Sequence, residues 1–362
     1  MDYIYFSSIL YSMTSIKNKK LNFFTEESLI PHKSCLFSAG LHLNKDIFSF
    51  IPKDKSIILG DSGGFQILQN KLIYDDNIRT KIFNWLENNT HYAMNLDIPP
   101  LGISFIDSFN QSFDNFKYFE LKQTGKTRFI KVIHGNNTDE LNKWIDNLIP
   151  LNFNGGYSLG GLVKNYNADY KIFLTICLLY QKGIFDMMKE DEIFHLLGVG
   201  TLRKLIPIFY FFHRLKNMKF RLSFDSSTIE FKSFGLRKFN LFLYPNEISL
   251  RQTDNDRIDI CNCIVCKDKE LSELQNNPRI MSLRVLAHNH LKYVETLKMI
   301  YKILKLDRRI IDECFVEYID MFDLIDEILD NRENCVNILS KHKFLFKGDE
   351  LPNDNVNIDD LF

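Results

Sequence analysis

What most constrains this chain is a rhythm in its first two-thirds. A short apolar run ends in a Gly- or Asp-bearing turn, and a longer stretch of helical periodicity follows. The runs are Ser56–Leu59, His91–Leu96, Arg128–Ile133, Tyr157–Leu159, Phe194–Leu197 and Arg221–Phe224, with a candidate earlier one starting at Cys35. Between them lie helical stretches at Ile78–Asn88, Ser104–Gln123, Asp139–Leu148, Tyr166–Lys182 and Thr201–Asn217. Short strands alternating with helices build βαβ units, hence an α/β protein with a parallel sheet. Six or seven such units in roughly 200 residues fit a closed barrel better than an open doubly wound sheet.

The residues that end each run point to where a site would form. Gly60, Asp61, Ser62, Gly63 and Gly64 follow the first; Asp97 follows the second; His134 and Gly135 follow the third. Gly160 and Gly161, with Leu162, come after the fourth, Gly198-Val199-Gly200-Thr201 after the fifth, and Asp225 after the sixth. A parallel barrel assembles its active site at the carboxyl ends of its strands. Asp, Gly and Ser also punctuate strand ends simply as turn residues. That accounts for one or two such ends and poorly for six. Paired glycines let backbone approach a planar ligand closely, and a buried Asp beside them can serve as acid or base. Alone, Asp61-Ser62-Gly63-Gly64 reads equally well as a capped turn.

From Asn255 the pattern changes. Cys261, Cys263 and Cys266 fall within six residues, and His288-Asn289-His290 follows some twenty residues later. Three thiolates and one imidazole make a closed tetrahedral set, the arrangement of structural zinc, with no open position at which water could be activated. Unligated cysteines or a redox pair are the alternatives. Seven cysteines, an odd number so clustered, argue against a disulfide framework. Long helical stretches at Leu283–Leu304 and Arg308–Leu329 follow, placed to close and cover the barrel. The expected organisation is a barrel carrying the active site over 1–254, a zinc-binding subdomain with closing helices over 255–345, and an acidic tail over 346–362.

Charge sets limits on partners. The 362 residues carry a net charge of −1, so no global field draws the chain to nucleic acid, and any such contact must be local. Between Arg203 and Lys238, nine Lys/Arg stand against Asp225 and Glu230, a local charge of +7; a solvated helix face and loop would look the same. No stretch approaches the roughly 20 apolar residues of a membrane span. The N-terminus lacks the basic leading region of a secretory signal, and the expectation is a cytoplasmic protein.

Taken together, DSGGFQ, GGYSLGGL, LLGVGT, FDSS and C-x-C-x-x-C followed by His-Asn stand in the order and spacing of the tRNA-guanine transglycosylase family. Over roughly residues 35–300 the chain resembles that family. The resemblance implies a (β/α)8 TIM barrel with a zinc-binding insertion near the C-terminus, and exchange of a guanine in a polynucleotide for a 7-deazaguanine base. By matching motif, Asp225 resembles the nucleophile at the sugar C1′ and Asp61 the general acid/base. Asp97 matches the carboxylate that reads the guanine edge. Gly160, Gly161 and Leu162 match backbone against the base, with Ser62, Gly63, Gly64 and Gln66 flanking it. Cys261, Cys263, Cys266 and His288 match the zinc ligands, His288 being preferred to His290 because the family pattern has His-Asn there.

Two departures redirect the reading. His134-Gly135 replaces the family's Gln-Gly, so the residue that would bond the base differs in geometry and charge. Ser226-Ser227-Thr228-Ile229-Glu230 replaces the Pro-Thr-Arg segment of bacterial tRNA-acting members, and room for the RNA-binding C-terminal domain of archaeal ones is not expected. The chain looks more like the branch that places 7-deazaguanines into DNA. The implied partners are DNA in preference to tRNA, the 7-deazaguanine base, and a second copy or accessory protein. The alternatives are a divergent tRNA-acting enzyme and a non-catalytic partner subunit, which would be expected to lack Asp61 or Asp225.

Overall fold

In the computed structural model, residues 3–7, 19–23, 25–49, 51, 56–162, 168–227, 229, 238–243, 246–251, 261–273 and 278–346 are described. Eight strands, β1 (Tyr3–Ser7), β2 (Ser34–Ser38), β3 (Ile57–Asp61), β4 (Tyr92–Met94), β5 (Arg128–Ile133), β6 (Gly156–Leu159), β7 (Ile193–Leu196) and β8 (Arg221–Ser226), pair in chain order. All neighbours are parallel and β8 returns to β1, so the sheet is a closed (β/α)8 barrel.

The alternation of β5 shows why this sequence closes. Ile130 and Val132 point inward and join Ile4, Phe6, Leu59, Tyr92, Met94 and Ile193 in a plug of apolar side chains inside the barrel. Phe129 and Ile133 point outward into the larger core between strands and helices. Successive side chains on a strand take opposite faces, and a barrel strand is buried on both, hence a nearly continuous apolar run.

Around the barrel, α1 (Ala39–His42) and α2 (Gly64–Leu68) are short. After them come α3 (Asp76–Asn89), α4 (Phe105–Lys122), α5 (Thr138–Leu148), α6 (Ala168–Gln181), α7 (Ile184–Met187) and α8 (Leu202–Arg214). Local chemistry starts three of the long ones. The side chains of Asp75, Ser104 and Asn137 accept from the backbone N–H groups of Ile78, Asp107 and Glu140. Each satisfies a donor that the first helical turn leaves open, typically contributing about 1 kcal/mol. Beside this cap, Glu140 Oε2 accepts from the N–H of Asn136, the residue before it, at 2.7 Å.

After β8 the chain forms an antiparallel hairpin, β9 (Lys238–Leu243) with β10 (Asn246–Arg251), then α9 (Lys269–Glu273) and the 26-residue α10 (Pro278–Ile303). Helix α10 packs against β1, with Tyr293 edge-on to Tyr5 (5.3 Å between ring centroids) and Tyr301 edge-on to Tyr3 (5.5 Å). An outer layer follows: α11 (Arg308–Cys314), α12 (Ile319–Asp330) and α13 (Cys335–Lys341). Phe322 of α12 stacks on Tyr210 of α8 at 4.2 Å, and the Cys335 thiol of α13 donates to the Cys177 carbonyl of α6 at 3.3 Å.

Two elements differ from the sequence reading. The first strand, Tyr3–Ser7, has no Gly- or Asp-bearing turn after it and was not anticipated, which is why the count stopped at six or seven. The stretch expected as one helix over Arg308–Leu329 is two. Phe315 leaves the helical region (φ −131°, ψ 50°), and a 3-10 turn at Val316–Tyr318 intervenes. The acidic tail beyond 346 lies outside the described residues.

Candidate active site

Asp61 closes β3 in register with Ser38 at the end of β2, and Asp225 lies in β8 opposite Phe6 of β1. Burial, with smaller contributions from the negative charges of Asp97 and Asp225, raises the Asp61 carboxyl to about 6 against the opposing hydrogen bonds from Ser38 and the Gly63 amide. A charge must be near to act this way, so the strand-end carboxylates read from the sequence converge on one mouth. A carboxyl in that range can hold a proton in one step and release it in the next near neutral pH.

Asp97 is held on both oxygens. The Ser62 hydroxyl donates to Oδ1 at 3.3 Å, and His134 Nε2 lies 2.7 Å from Oδ2. His134 is fully buried beneath the β6 turn, edge-on to Trp144. Through its Nε2, His134 supports the Asp97 carboxylate. Gln66, on α2, accepts from the Ser38 hydroxyl through Oε1 at 3.3 Å, which ties it to the Asp61 side of the mouth.

The glycines serve the protein's own close approaches. A Cβ on Gly64 would lie 2.0 Å from the Asp97 carbonyl oxygen, and one on Gly160 would lie 2.6 Å from His134 Cε1. Real Cβ atoms do not come so near, so Gly64 lets the β3 turn seat against the β4 turn and Gly160 makes room for the imidazole. Gly161, in the left-handed region at φ 66°, offers its carbonyl to the Lys171 ammonium at 3.2 Å. Lys171 is buried, which lowers its pKa to about 8. Leu162 is packed in the outer core.

Asp225 has its own scaffold. The Gly198 backbone N–H donates to Oδ1 at 2.8 Å, and His195 Nε2 stands 3.2 Å from the same oxygen. His195 is fully buried and its Nδ1 lies 3.0 Å from the Ser223 hydroxyl. Sequence reasoning missed His195, Ser223, Ser38 and Lys171. The signal was a polar residue at an inward position of an apolar strand for the first two, and a lone Lys within an apolar helix for the last.

The cysteine cluster also assembles. Ligand atoms of Cys261, Cys263, Cys266 and His288 all lie within 4.8 Å of one another. His288 Nδ1 is 3.3 Å from the Cys263 sulfur and 3.2 Å from that of Cys266. A tetrahedral ion with bonds of about 2.0–2.3 Å would place such atoms about 3.5 Å apart, so the group could hold a metal ion. His290 turns away into an aromatic nest, with ring centroids 4.3 Å from Phe23 and 4.7 Å from His32. Two residues along a helix is about 200° of rotation, which sets the two imidazoles on opposite faces.

Among the described residues, the basic segment is spread along the barrel wall. Arg203 and Lys204 begin α8, while Arg214 ends it, about 16 Å away. Lys204 pairs with Asp169, Arg214 with Asp326, and Arg221 bonds Tyr92 at the start of β8. Glu230, Lys232 and Arg237 lie outside the described residues, and the side chain of Lys238 is not described.

The fold and site define a parallel α/β barrel with three carboxylates at its C-terminal mouth and a metal-competent Cys/His cluster beside it. No family model matches the chain, and no curated protein matches it. Among the described residues no helix is long and apolar enough to cross a membrane.

Proposed function

We propose that this chain is a transglycosylase that exchanges guanine in DNA for a 7-deazaguanine base by double displacement at the sugar C1′. The observation that carries the reading is that Asp61, Asp97 and Asp225 stand at or just past the carboxyl ends of three strands of one closed parallel barrel, near enough for the latter two charges to raise the Asp61 carboxyl. Asp61, with its raised pKa, is poised to carry a proton, and Asp225 is held in place by the Gly198 amide.

In the first displacement, an oxygen of Asp225 bonds to C1′ as the C1′–N9 bond breaks. The electron pair goes to the departing base, which takes a proton from Asp61. The result is a glycosyl ester on Asp225. In the second, the incoming base gives its N9 proton to Asp61 and bonds to C1′. The ester C–O bond breaks and its electron pair returns to Asp225. Two inversions retain configuration, as in a retaining glycosidase. Asp97, braced by Ser62 and His134, accepts from the N–H edge of guanine, and the Gly160–Leu162 turn flanks the ring. The target base must leave its stack to reach this mouth. Cys261, Cys263, Cys266 and His288 would hold zinc, whose filled ligand shell supplies structure alone.

Incubation with labelled guanine and either duplex DNA or bulk tRNA tests this. Label is expected in DNA. Label in tRNA alone moves the substrate to RNA, and label in neither refutes the exchange reading. Asp225→Asn should abolish the covalent adduct with bound metal unchanged; exchange near the wild-type rate would remove Asp225 as nucleophile.

A further inference from the structure

We infer that His195 is a positioning residue that, with the Gly198 amide, holds Oδ1 of Asp225 and thereby selects Oδ2 as the attacking oxygen. The inference rests on the exchange chemistry above and concerns how its nucleophile is aimed.

Both ring nitrogens of His195 are committed inside the barrel. Ser158, His195 and Ser223 stand side by side in register across β6, β7 and β8, one layer below the mouth. Nδ1 meets the Ser223 hydroxyl and Nε2 meets Asp225 Oδ1, at 3.0 and 3.2 Å. Phe6 lies edge-on to the imidazole at 5.9 Å, and the ring is fully buried. Neither nitrogen has water to fall back on, so the proton must sit where both contacts are satisfied.

Two arrangements are open to a neutral ring. With the proton on Nδ1, a bare Nε2 lone pair would face a carboxylate oxygen, which repels it. With the proton on Nε2, the ring donates to Asp225 and the Ser223 hydroxyl donates to Nδ1. The hydroxyl's other acceptor, the Phe194 carbonyl, is farther, at 3.5 Å, so Nδ1 is its better partner. The chain then runs Ser223 O–H to Nδ1, Nε2–H to Oδ1, with every donor aimed toward the nucleophile.

The consequence is directional. Oδ1 receives two donors, Gly198 N–H and His195 Nε2–H, and among the described residues no hydrogen bond goes to Oδ2. The oxygen without donors is the better nucleophile. When Oδ2 forms the ester, Oδ1 becomes its carbonyl oxygen, and when the ester breaks, charge returns to Oδ1 under two donors already in place. Such preorganised donors stabilise developing charge without reorganising. The other titratable groups near this carboxylate are Asp61 on β3 and Tyr293 on α10.

Two variants and a spectrum decide the matter. His195→Leu removes both nitrogens; His195→Gln returns one N–H donor at nearly the same reach. Single-turnover adduct formation on a duplex oligonucleotide should fall about 100-fold in the Leu variant and recover to within about 10-fold of wild type in the Gln variant. KM for labelled guanine should stay within about twofold in both. Equal rates for Leu and Gln would overturn the inference, because a merely structural ring would not be rescued by a donor. Independently of activity, ¹⁵N NMR of the His195 ring should show a protonated Nε2 and a bare, hydrogen-bonded Nδ1 that shifts in Ser223→Ala. An unprotonated Nε2 would overturn it as well. If Asp225→Asn is inactive while His195→Leu is unimpaired, this inference falls and the exchange reading survives. If wild type exchanges into neither polymer, the exchange reading falls and the NMR result alone decides the ring's hold on Asp225.

Discussion

Replacing Asp61 by Asn should stabilise the protein, and more so as pH rises. The Asp61 carboxyl is raised from 3.8 to about 6, chiefly by burial and then by the charges of Asp97 and Asp225. A carboxyl that binds its proton more tightly folded than unfolded stabilises the fold only while protonated. That contribution is whole below pH 3.8, shrinks as pH rises, and is gone above the folded value. A shift of about two units corresponds to about 3 kcal/mol at the plateau, of which roughly 2 kcal/mol is lost between pH 4 and pH 8. Asn does not titrate, and its carbonyl oxygen can still accept from Ser38 and the Gly63 amide. Urea unfolding of wild type and Asp61→Asn at pH 4, 6 and 8 reads the difference directly. The gap should widen in favour of Asn by about 2 kcal/mol across that range. In an Asp225→Asn background it should narrow, since one of the crowding charges is gone. Parallel stability curves, or a gap that closes with rising pH, would refute the raised Asp61 carboxyl, and a gap unchanged in the Asp225→Asn background would refute the convergence of carboxylates on which the mechanism depends.

The metal cluster separates two neighbouring histidines. His288→Ala should lose bound metal and, with it, several kcal/mol of stability, whereas His290→Ala should keep the metal and lose only its packing on Phe23, about 2–4 kcal/mol. Metal content by atomic absorption with parallel thermal melts distinguishes them. Gly64→Ala pushes a methyl to 2.0 Å from the Asp97 carbonyl. It should cost about 1–3 kcal/mol and weaken guanine binding through displacement of Asp97, measured by calorimetric titration of the base; unaltered affinity would separate the β3 turn from the base site.

The strands legible in the sequence were those that end in chemistry. Arg128–Ile133 has the same bounds in both readings, because its apolar run is buried on both faces and stops at a Gly-bearing turn. Tyr3–Ser7 has the same apolar character without that punctuation and was invisible as a strand. The site divided similarly. Asp61, Asp97 and Asp225 stand at strand ends, where local sequence marks them. Their supports do not: His195, Ser223 and Ser38 act through neighbours on adjacent strands, and only register reveals which strand is adjacent. Charge counted along the chain misled in the same way. Among the described basic residues of that segment, Arg203 and Lys204 open α8, Arg214 closes it and Arg221 opens β8, so neighbours in sequence stand at different ends of the barrel wall.

Helix α10 has two duties, one at each end of a short span. His288 faces the cysteines, and five residues later the Tyr293 hydroxyl donates to the Gly200 carbonyl at 2.7 Å. Gly200 belongs to the same turn as Gly198, whose amide grips Asp225. Removing a metal from the Cys/His group would therefore slacken a tether that ends at Asp225, the proposed nucleophile. On the proposed exchange reading, a chelated protein would lose turnover through a loosened Asp225, with no contact between a metal at the Cys/His group and the substrate.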